Sequence, residues 1–171
     1  MIISRLLPGA RFIVRGNDML RILTVDYAPG VQQSPKPSQV GRFALRAPPE
    51  LTGIILSFDW DRTRLHALEL PVEELAVVEL NWQLDLRWWK FDGRHFAVTP
   101  NEVRADPVRY QHQWLRTVTA DLAYPIHVTE TAPGRWTILD GVHRLLKADA
   151  AGERTIRAMR VRDLDPIRII E

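Results

Sequence analysis

The sequence predicts an α+β protein, in which a mixed sheet with short helices is preceded by a small antiparallel β-rich N-terminal extension. Three patterns predict this fold. β-Branched runs alternate with turn residues before residue 60, an amphipathic helical repeat follows Asp106, and strand and helix patterns alternate after residue 125. Because 171 residues suit one domain with an added layer, we divide the chain into an extension, residues 1–62, and a domain, residues 63–171.

Composition excludes several classes of protein. The chain has no cysteine, which excludes disulfides, thiolate metal sites and a cysteine nucleophile, and favours a cytoplasmic location. Arg5 and Pro8 interrupt the start, so it lacks the apolar run of a signal peptide. No stretch approaches the about 18 apolar residues of a membrane span, and we expect no membrane partner. The net charge of +2 is too small for a polybasic nucleic-acid protein.

The N-terminal extension contains two predicted pairs of strands. Residues 11–14 and 20–25 are rich in β-branched side chains and flank a Gly-Asn-Asp turn, which is the pattern of a hairpin. Residues 41–46 and 53–58 are predicted as two further strands. Between the two pairs, residues 28–38 are rich in Pro and Ser and predict a loop.

The middle of the chain contains a region dense in tryptophan. Trp82, Trp88 and Trp89 lie within eight positions of one another. These rings form either a hydrophobic core cluster or a surface on which a nucleotide base or a single strand stacks. The sequence alone leaves both interpretations open.

The second half of the chain predicts a helix followed by a strand–strand–helix–strand series. Asp106 starts the first helix, in which apolar side chains recur every four residues as far as Leu122. The second helix takes Asp140 as its N-cap and Gly152 as its C-terminal glycine. The predicted strands cover residues 125–130, 135–139 and 153–161.

The turn after the strand at 135–139 carries the candidate chemistry. The first N–H groups of the following helix, those of Val142, His143 and Arg144, have no intrahelical acceptors, and together with the helix dipole they form an anion site. The imidazole and the guanidinium add side-chain donors that suit phosphate oxygens. Gly141 lets the backbone approach a ligand closely.

Other charged residues belong to the same region. Lys147 lies on a neighbouring part of the helix face and adds a second cation. The alternative is that Asp140 and Arg144, four residues apart, form a surface ion pair and that Lys147 is solvated. At the end of the preceding helix, Asp121 and Arg116 could approach the same pocket or pair with each other.

The C-terminal elements follow one another in an order that is found in a known superfamily. Pro125-Ile-His-Val128 precedes Trp136-Thr-Ile-Leu-Asp-Gly-Val-His-Arg144, and the last strand ends at Met159-Arg-Val161. This set resembles the core of the ParB/sulfiredoxin-like superfamily, and upstream residues 70–75 resemble its opening strand and the first helix resembles the helix before its Pro-Ile-x-Val strand. The resemblance covers about residues 65–163. The resemblance implies a nucleotide-binding core.

In that superfamily a Gly-x-His-Arg or Gly-Glu-Arg-Arg turn holds the phosphates of a nucleotide. The resemblance therefore implies ATP or CTP with Mg²⁺ as the cofactor. Val142 stands where sulfiredoxins carry their reactive cysteine, so sulfinic-acid reduction is excluded. The resemblance implies Gly141, Val142, His143 and Arg144 as the phosphate-binding residues, and the predicted nucleotide-binding set also includes Asp140 and Lys147.

The serine kinases of the superfamily place an acidic base near the end of the opening strand. Glu79 is the nearest equivalent, with Glu73 and Glu74 as competitors, and His143 is the second catalytic candidate. A carboxylate near the γ-phosphate could accept a hydroxyl proton or help to hold Mg²⁺. The alternative is that these glutamates face solvent on an amphipathic strand.

Histidine spacing predicts no metal site in this chain. His66, His95 and His112 lie far apart in sequence and lack the local pairing of a zinc site. His127 is predicted to face the opposite side of its strand from its two neighbours. Magnesium brought in with a nucleotide is the only metal that we expect.

Together these patterns favour a nucleotide-binding protein that transfers a phosphoryl group to a small-molecule acceptor or hydrolyses the nucleotide. A DNA-binding or nuclease-type module with a nucleic-acid partner is the first alternative, and a non-catalytic interaction domain is the second. The sequence leaves open whether the protein forms a homo-oligomer.

Overall fold

The structure is a computed structural model that describes residues 44–169 and, nearer the N-terminus, two strands. The chain divides into two compact units, residues 1–34 and 35–171. The domain boundary that the sequence suggests after residue 62 lies inside the second unit. Within the described residues, no helix is both long and apolar enough to cross a membrane.

The first unit contains the predicted N-terminal hairpin. Strand β1 (Phe12–Gly16) pairs antiparallel with β2 (Met19–Leu23), and Gly16 lies opposite Met19. The β-branched pattern therefore identifies these strands correctly. The loop predicted over residues 28–38 lies outside the described residues.

The strands predicted over residues 41–46 and 53–58 are wrong where the structure describes them. Single turns of 3-10 helix occupy Ala44–Arg46 and Pro49–Leu51, and the second predicted strand consists of turns and bends. A proline opens the second of these turns, where its fixed φ favours helical geometry, and the leucine that ends it is fully buried. Proline geometry and the burial of one side chain outweigh the β-propensity of the segment.

The second unit is built on a four-stranded mixed sheet, which confirms the α+β class. Its strands, in the order β3-β8-β6-β7, are β3 (Val72–Ala76), β8 (Thr155–Arg160), β6 (Ile126–Ala132) and β7 (Arg135–Asp140). Strands β6 and β8 run parallel, and the other neighbours are antiparallel. A separate antiparallel hairpin is formed by β4 (Trp89–Phe91) and β5 (Arg94–Val98).

Four short helices accompany the sheet. They are α1 (Arg62–His66), α2 (Pro100–Ala105), α3 (Gln111–Val118) and α4 (Val142–Ala150). Helix α2 begins with a capping box, in which the Glu102 N–H donates to Thr99 Oγ1 at 3.0 Å and the Thr99 N–H donates to Glu102 Oε2 at 2.7 Å. This cap fixes α2 as a helix of its own.

The helix predicted from Asp106 to Leu122 is shorter than expected. Asp106 ends α2, and its carboxylate accepts the Arg109 N–H at 3.0 Å in a turn that delays the next helix to residue 111. The buried face of α3 is formed by Gln113 and Thr117, whereas the predicted stripe residue Val118 is 42% exposed. A separate cap upstream and the Asp-Pro turn therefore shift the helix and rotate its buried face.

Helix α4 packs its apolar face onto the sheet. Its buried residues Leu145, Leu146 and Ala148 belong to one cluster with buried side chains of β6, β7 and β8. Burial of a leucine stabilises the fold by about 2 kcal/mol relative to exposure. The contact therefore fixes the N-terminus of α4 at the end of β7. The sheet residues of this cluster are Ile126, Val128, Ile138, Ile156 and Ala158.

The C-terminal segment holds α1 in place. The Asp61 N–H donates to Ile167 O at 2.8 Å, and the Ile169 N–H donates to Asp59 O at 2.9 Å. Leu65 of α1 is fully buried beside Ile167 and Val161 in a second, smaller apolar cluster. Because the segment follows β8, these contacts place the end of α1 near the sheet.

A buried glutamine covers the outer edge of β7. Gln83 is fully buried, its Oε1 accepts the Ile138 N–H at 2.8 Å, and its Nε2 donates to Trp136 O at 3.3 Å. One side-chain amide therefore satisfies a donor and an acceptor that a neighbouring strand would otherwise satisfy.

Candidate functional site

A cleft of about 500 Å³ opens at the N-terminus of α4. The cleft brings together the end of β7, the start of α4 and the segment after α3. Its lining includes the whole turn, residues 140–144, that the sequence predicts as the phosphate site. Its lining residues are Arg62, Trp89, Arg116, Thr119, Ala120, Asp121, Tyr124, Leu139, Asp140, Gly141, Val142, His143 and Arg144.

Gly141 occupies the N-cap position of α4, so the prediction of Asp140 as N-cap is wrong. Gly141 has φ 113° in the left-handed region, and Asp140 is still a strand residue opposite His127. A Cβ at Gly141 would lie 2.6 Å from Ile126 Cγ2 and 2.9 Å from a terminal nitrogen of Arg144. The backbone conformation and the lack of space both require glycine here.

Arg144 turns back from the helix toward the end of the strand. Its guanidinium donates to Asp140 Oδ2 at 2.8 Å, and the arginine side chain is only 15% exposed. The ion pair that the sequence offered as the alternative is therefore present. Part of the guanidinium packs over Gly141, and a ligand at the helix N-terminus meets a cation that already has a carboxylate partner.

His143 packs against side chains of two other elements of the protein. Its ring stacks on Trp89 at a centroid distance of 4.2 Å, and its Nδ1 lies 3.1 Å from Thr117 Oγ1. The Thr117 hydroxyl also lies 3.1 Å from Gln113 O, and when it donates to this carbonyl it accepts a hydrogen bond from His143 Nδ1. The other nitrogen, Nε2, is buried without a hydrogen-bond partner among the described residues.

The charge state of His143 follows from this packing. Burial, reinforced by the positive charge of Arg116, lowers the pKa of His143 to about 4. The imidazole is therefore neutral at physiological pH. A neutral imidazole has one N–H donor and no positive charge to offer a phosphate.

Lys147 does not line the cleft. Its Nζ donates to Val118 O at 2.9 Å and to Ala120 O at 2.7 Å, which are carbonyls at the end of α3 and just beyond it. The ammonium group thus satisfies carbonyls that lack intrahelical donors. The structure places it in a capping position and not beside a second phosphate.

The predicted acidic candidates separate into two groups. Glu79 is exposed in the 3-10 turn after β3, outside the cleft lining, and Glu73 lies 3.4 Å from the Arg160 guanidinium. Asp121 and Arg116 do line the cleft, without an ion pair between them. Asp121 is therefore the carboxylate that can accompany Asp140 at this site.

The tryptophan cluster contributes mainly to packing. Trp89 is buried against His143, and the Trp88 indole N–H donates to Gln83 O at 2.7 Å. The Arg135 guanidinium lies 4.0 Å above the Trp82 ring. These rings contact the protein itself, which favours the interpretation as a core cluster.

Two histidines and an aspartate meet beside the cleft, an arrangement that the sequence analysis does not predict. His66 Nε2 lies 3.4 Å from Asp140 Oδ2, and the rings of His66 and His127 are 5.0 Å apart at their centroids. Burial, and then the charge of His66, lowers the pKa of His127. His127 Nδ1 is buried and has no partner among the described residues.

A second cavity of about 420 Å³ lies between the β4–β5 turn and α3. Arg109 lies over the rings of Phe91 and Tyr110, at 5.7 Å and 5.4 Å from their centroids. Arg116 lines both cavities. Positive charge therefore continues from the cleft along α3.

Comparisons of the chain with protein-family models, with curated proteins and with solved structures gave no significant match. The function must therefore be inferred from the geometry of the cleft and of the histidine cluster.

Proposed function

We propose that the protein binds a phosphate-bearing ligand, of which a nucleotide is the leading example, in the cleft at the N-terminus of α4. The observation that carries this proposal is the meeting of Arg62 and Arg116 with the helix N-terminus in one cavity. Neither arginine has a carboxylate partner in the part of the chain that the structure describes.

Backbone donors support the same ligand class. The first hydrogen bond of α4 runs from the Leu145 N–H to Gly141 O at 3.0 Å. Helical geometry leaves the three preceding N–H groups, those of residues 142–144, without intrahelical acceptors. These donors and the positive end of the helix dipole stabilise an anion, and the guanidinium groups of Arg62 and Arg116 add to the positive field.

The size and the aromatic content of the cleft suit a nucleotide better than a bare phosphate ion. Cavities of about 300–1,000 Å³ hold small organic ligands, and this cleft falls within that range. Tyr124 is 65% exposed on its border, while Trp89 is covered by His143. The tyrosine ring is therefore the surface on which we place a base or a ribose.

The resemblance to ParB/sulfiredoxin-like proteins leads us to expect a strand, a turn and a helix at the phosphate site, and the cleft has this order of elements. We therefore include membership of that superfamily in the proposal. Phosphoryl transfer or nucleotide hydrolysis would need a carboxylate that holds Mg²⁺ or accepts a hydroxyl proton. Asp121 takes this role in our proposal because it lines the cleft. One of its oxygens accepts the Ala123 N–H at 2.8 Å, which orients the carboxylate.

Ligand-dependent thermal unfolding tests the proposal. ATP, ADP, CTP, GTP and pyrophosphate are each added with Mg²⁺, and a ligand at a hundred times its Kd should stabilise the protein by about 2.7 kcal/mol. Arg116→Ala should weaken binding at least tenfold, since a charge-assisted hydrogen bond contributes about 1.5–3 kcal/mol.

Arg94→Ala is the matched control, because Arg94 is exposed and lines neither cavity. An absence of stabilisation by every compound in the series would contradict the proposal. An equal loss of affinity in both arginine variants would show that general positive charge, and not the cleft, attracts the anion.

A further inference from the structure

We propose that His66, His127 and Asp140 form a binding site for a divalent transition-metal ion. The ligand atoms of these three residues all lie within 4.8 Å of one another. They come from α1, β6 and β7, which the fold brings together. The inference goes beyond the proposed function and does not depend on an anion in the cleft.

The distances already approach those of a metal site. Zinc–ligand bonds of about 2.0–2.1 Å in a tetrahedron place neighbouring ligand atoms about 3.4 Å apart. His66 Nε2 and Asp140 Oδ2 are 3.4 Å apart, so this pair needs no movement. The remaining separations between ligand atoms, up to 4.8 Å, require side-chain displacements on the order of 1 Å.

The donor set suits a transition metal. Two imidazole nitrogens and one carboxylate are ligands for Zn²⁺ and for Fe²⁺, and three protein ligands leave a coordination position open. Mg²⁺ prefers oxygen ligands in an octahedron and fits this set poorly. The inferred ion is therefore different from the magnesium that accompanies a nucleotide.

His127 supplies an independent observation in favour of a ligand. Only 4% of the surface of His127 is exposed, and its Nδ1 has no partner among the described residues. A buried polar atom without a partner costs about 1–3 kcal/mol. An ion bound through Nδ1 compensates for such a cost. Because 47% of the His66 side chain is exposed, solvent can reach the cluster.

Arg144 supports the carboxylate of the cluster. It donates to Asp140 Oδ2 at 2.8 Å, and a carboxylate has about four lone-pair sites, so the same group can bind an ion as well. Partners of this kind orient a ligating carboxylate. The positive charge of Arg144 also repels any cation at this position. An ion must therefore bind strongly to the two imidazoles to occupy the site.

Titration of the untagged, ligand-free protein with Zn²⁺ tests the inference, with isothermal calorimetry as the readout. Co²⁺ serves as a second probe because its visible absorption reports the coordination geometry. We expect one ion per chain and a Co²⁺ spectrum of a site with nitrogen ligands. His66→Ala should weaken Zn²⁺ binding at least tenfold, and the exposure of His66 makes this variant compatible with folding.

His95→Ala is the matched control, since His95 is an exposed histidine outside the cluster. Binding that is equal in the parent and in His66→Ala, or no Zn²⁺ binding by the parent, would overturn the inference. Pyrophosphate binding is measured on the same samples. If the parent does not bind pyrophosphate, this result counts against the proposed function alone. If His66→Ala still binds pyrophosphate, the metal site and the anion site are independent.

Discussion

The cleft and the histidine cluster share Asp140 but differ in electrostatic character. In the cleft, Arg62 and Arg116 and the N-terminus of α4 present positive charge and N–H donors. In the cluster, His66 and His127 place imidazole rings beside the carboxylate. Guanidinium groups favour electron-rich ligands, whereas lone pairs favour cations. A single residue at a strand end therefore belongs to two regions with opposite ligand preferences.

Removal of the shared charge should produce the largest effect, with opposite signs in the two regions. In Asp140→Asn the Zn²⁺ affinity should fall more than the about 10–100-fold that follows loss of an outer-shell partner. Pyrophosphate affinity should rise severalfold, because the cleft loses a negative charge and the guanidinium of Arg144 is no longer neutralised by a carboxylate. Calorimetry with each ligand measures both changes. Asp149→Asn, which breaks the Arg104–Asp149 pair elsewhere, is the control. Changes of the same sign for both ligands would contradict the comparison.

Gly141→Ala tests whether the junction itself is strained. Alanine at φ 113°, with a Cβ 2.6 Å from Ile126 Cγ2, should lower the free energy of unfolding by about 2–3 kcal/mol. Gly134→Ala is a matched control, because Gly134 also has a positive φ, of 72°, but its Cβ would contact nothing within 4 Å. Urea unfolding measures both variants. Equal losses would show that the conformation alone, without the close contact, determines the effect.

His143 makes the cleft side of the protein sensitive to acid. The folded pKa, about 4, lies below the ordinary value of 6.5, so the unfolded chain binds the proton more readily. Stability present above pH 6.5 is therefore lost as the pH falls toward 4, by up to about 1.4 kcal/mol per pH unit. In His143→Asn this slope should become shallower, while His95→Asn should keep it. Urea unfolding between these pH values measures it, and an unchanged slope in His143→Asn would rule out this origin.

Lys147→Met should have the smallest effect and should separate a structural role from a binding role. Loss of the two hydrogen bonds to the end of α3 should lower the free energy of unfolding by about 1 kcal/mol. Pyrophosphate affinity should not change, because Lys147 lies outside the cleft lining. Calorimetry and urea unfolding provide the two measurements. A loss of pyrophosphate affinity without a loss of stability would show that Lys147 takes part in ligand binding.

The parts of the fold that were predicted correctly depend on local sequence. Strands β6, β7 and β8 and helix α4 follow from short periodic segments bounded by proline and glycine. The start of α2 was missed, although Thr99-Pro-Asn-Glu102 is a recognisable capping box. This signal marks the start of a helix upstream of Asp106, and it therefore separates α2 from α3.

The chemistry of the site was harder to predict because it depends on contacts between distant segments. His66 reaches His127 only because the C-terminal segment binds residues 59–61 and fixes α1. His143 loses its positive charge through Trp89 and Thr117, which lie on two other elements. Turn geometry and helix polarity can be read locally, whereas desolvation and side-chain partners require the assembled fold.

The buried amide of Gln83 has a consequence for self-association. An uncovered margin of a sheet offers its backbone groups to any extended peptide, which is a common start of aggregation. The side chain of Gln83, which comes from a separate segment, bonds to backbone groups at the outer edge of β7 and cannot extend the sheet further. An added strand would have to displace this one side chain from Trp136 O and the Ile138 N–H before it could pair with β7.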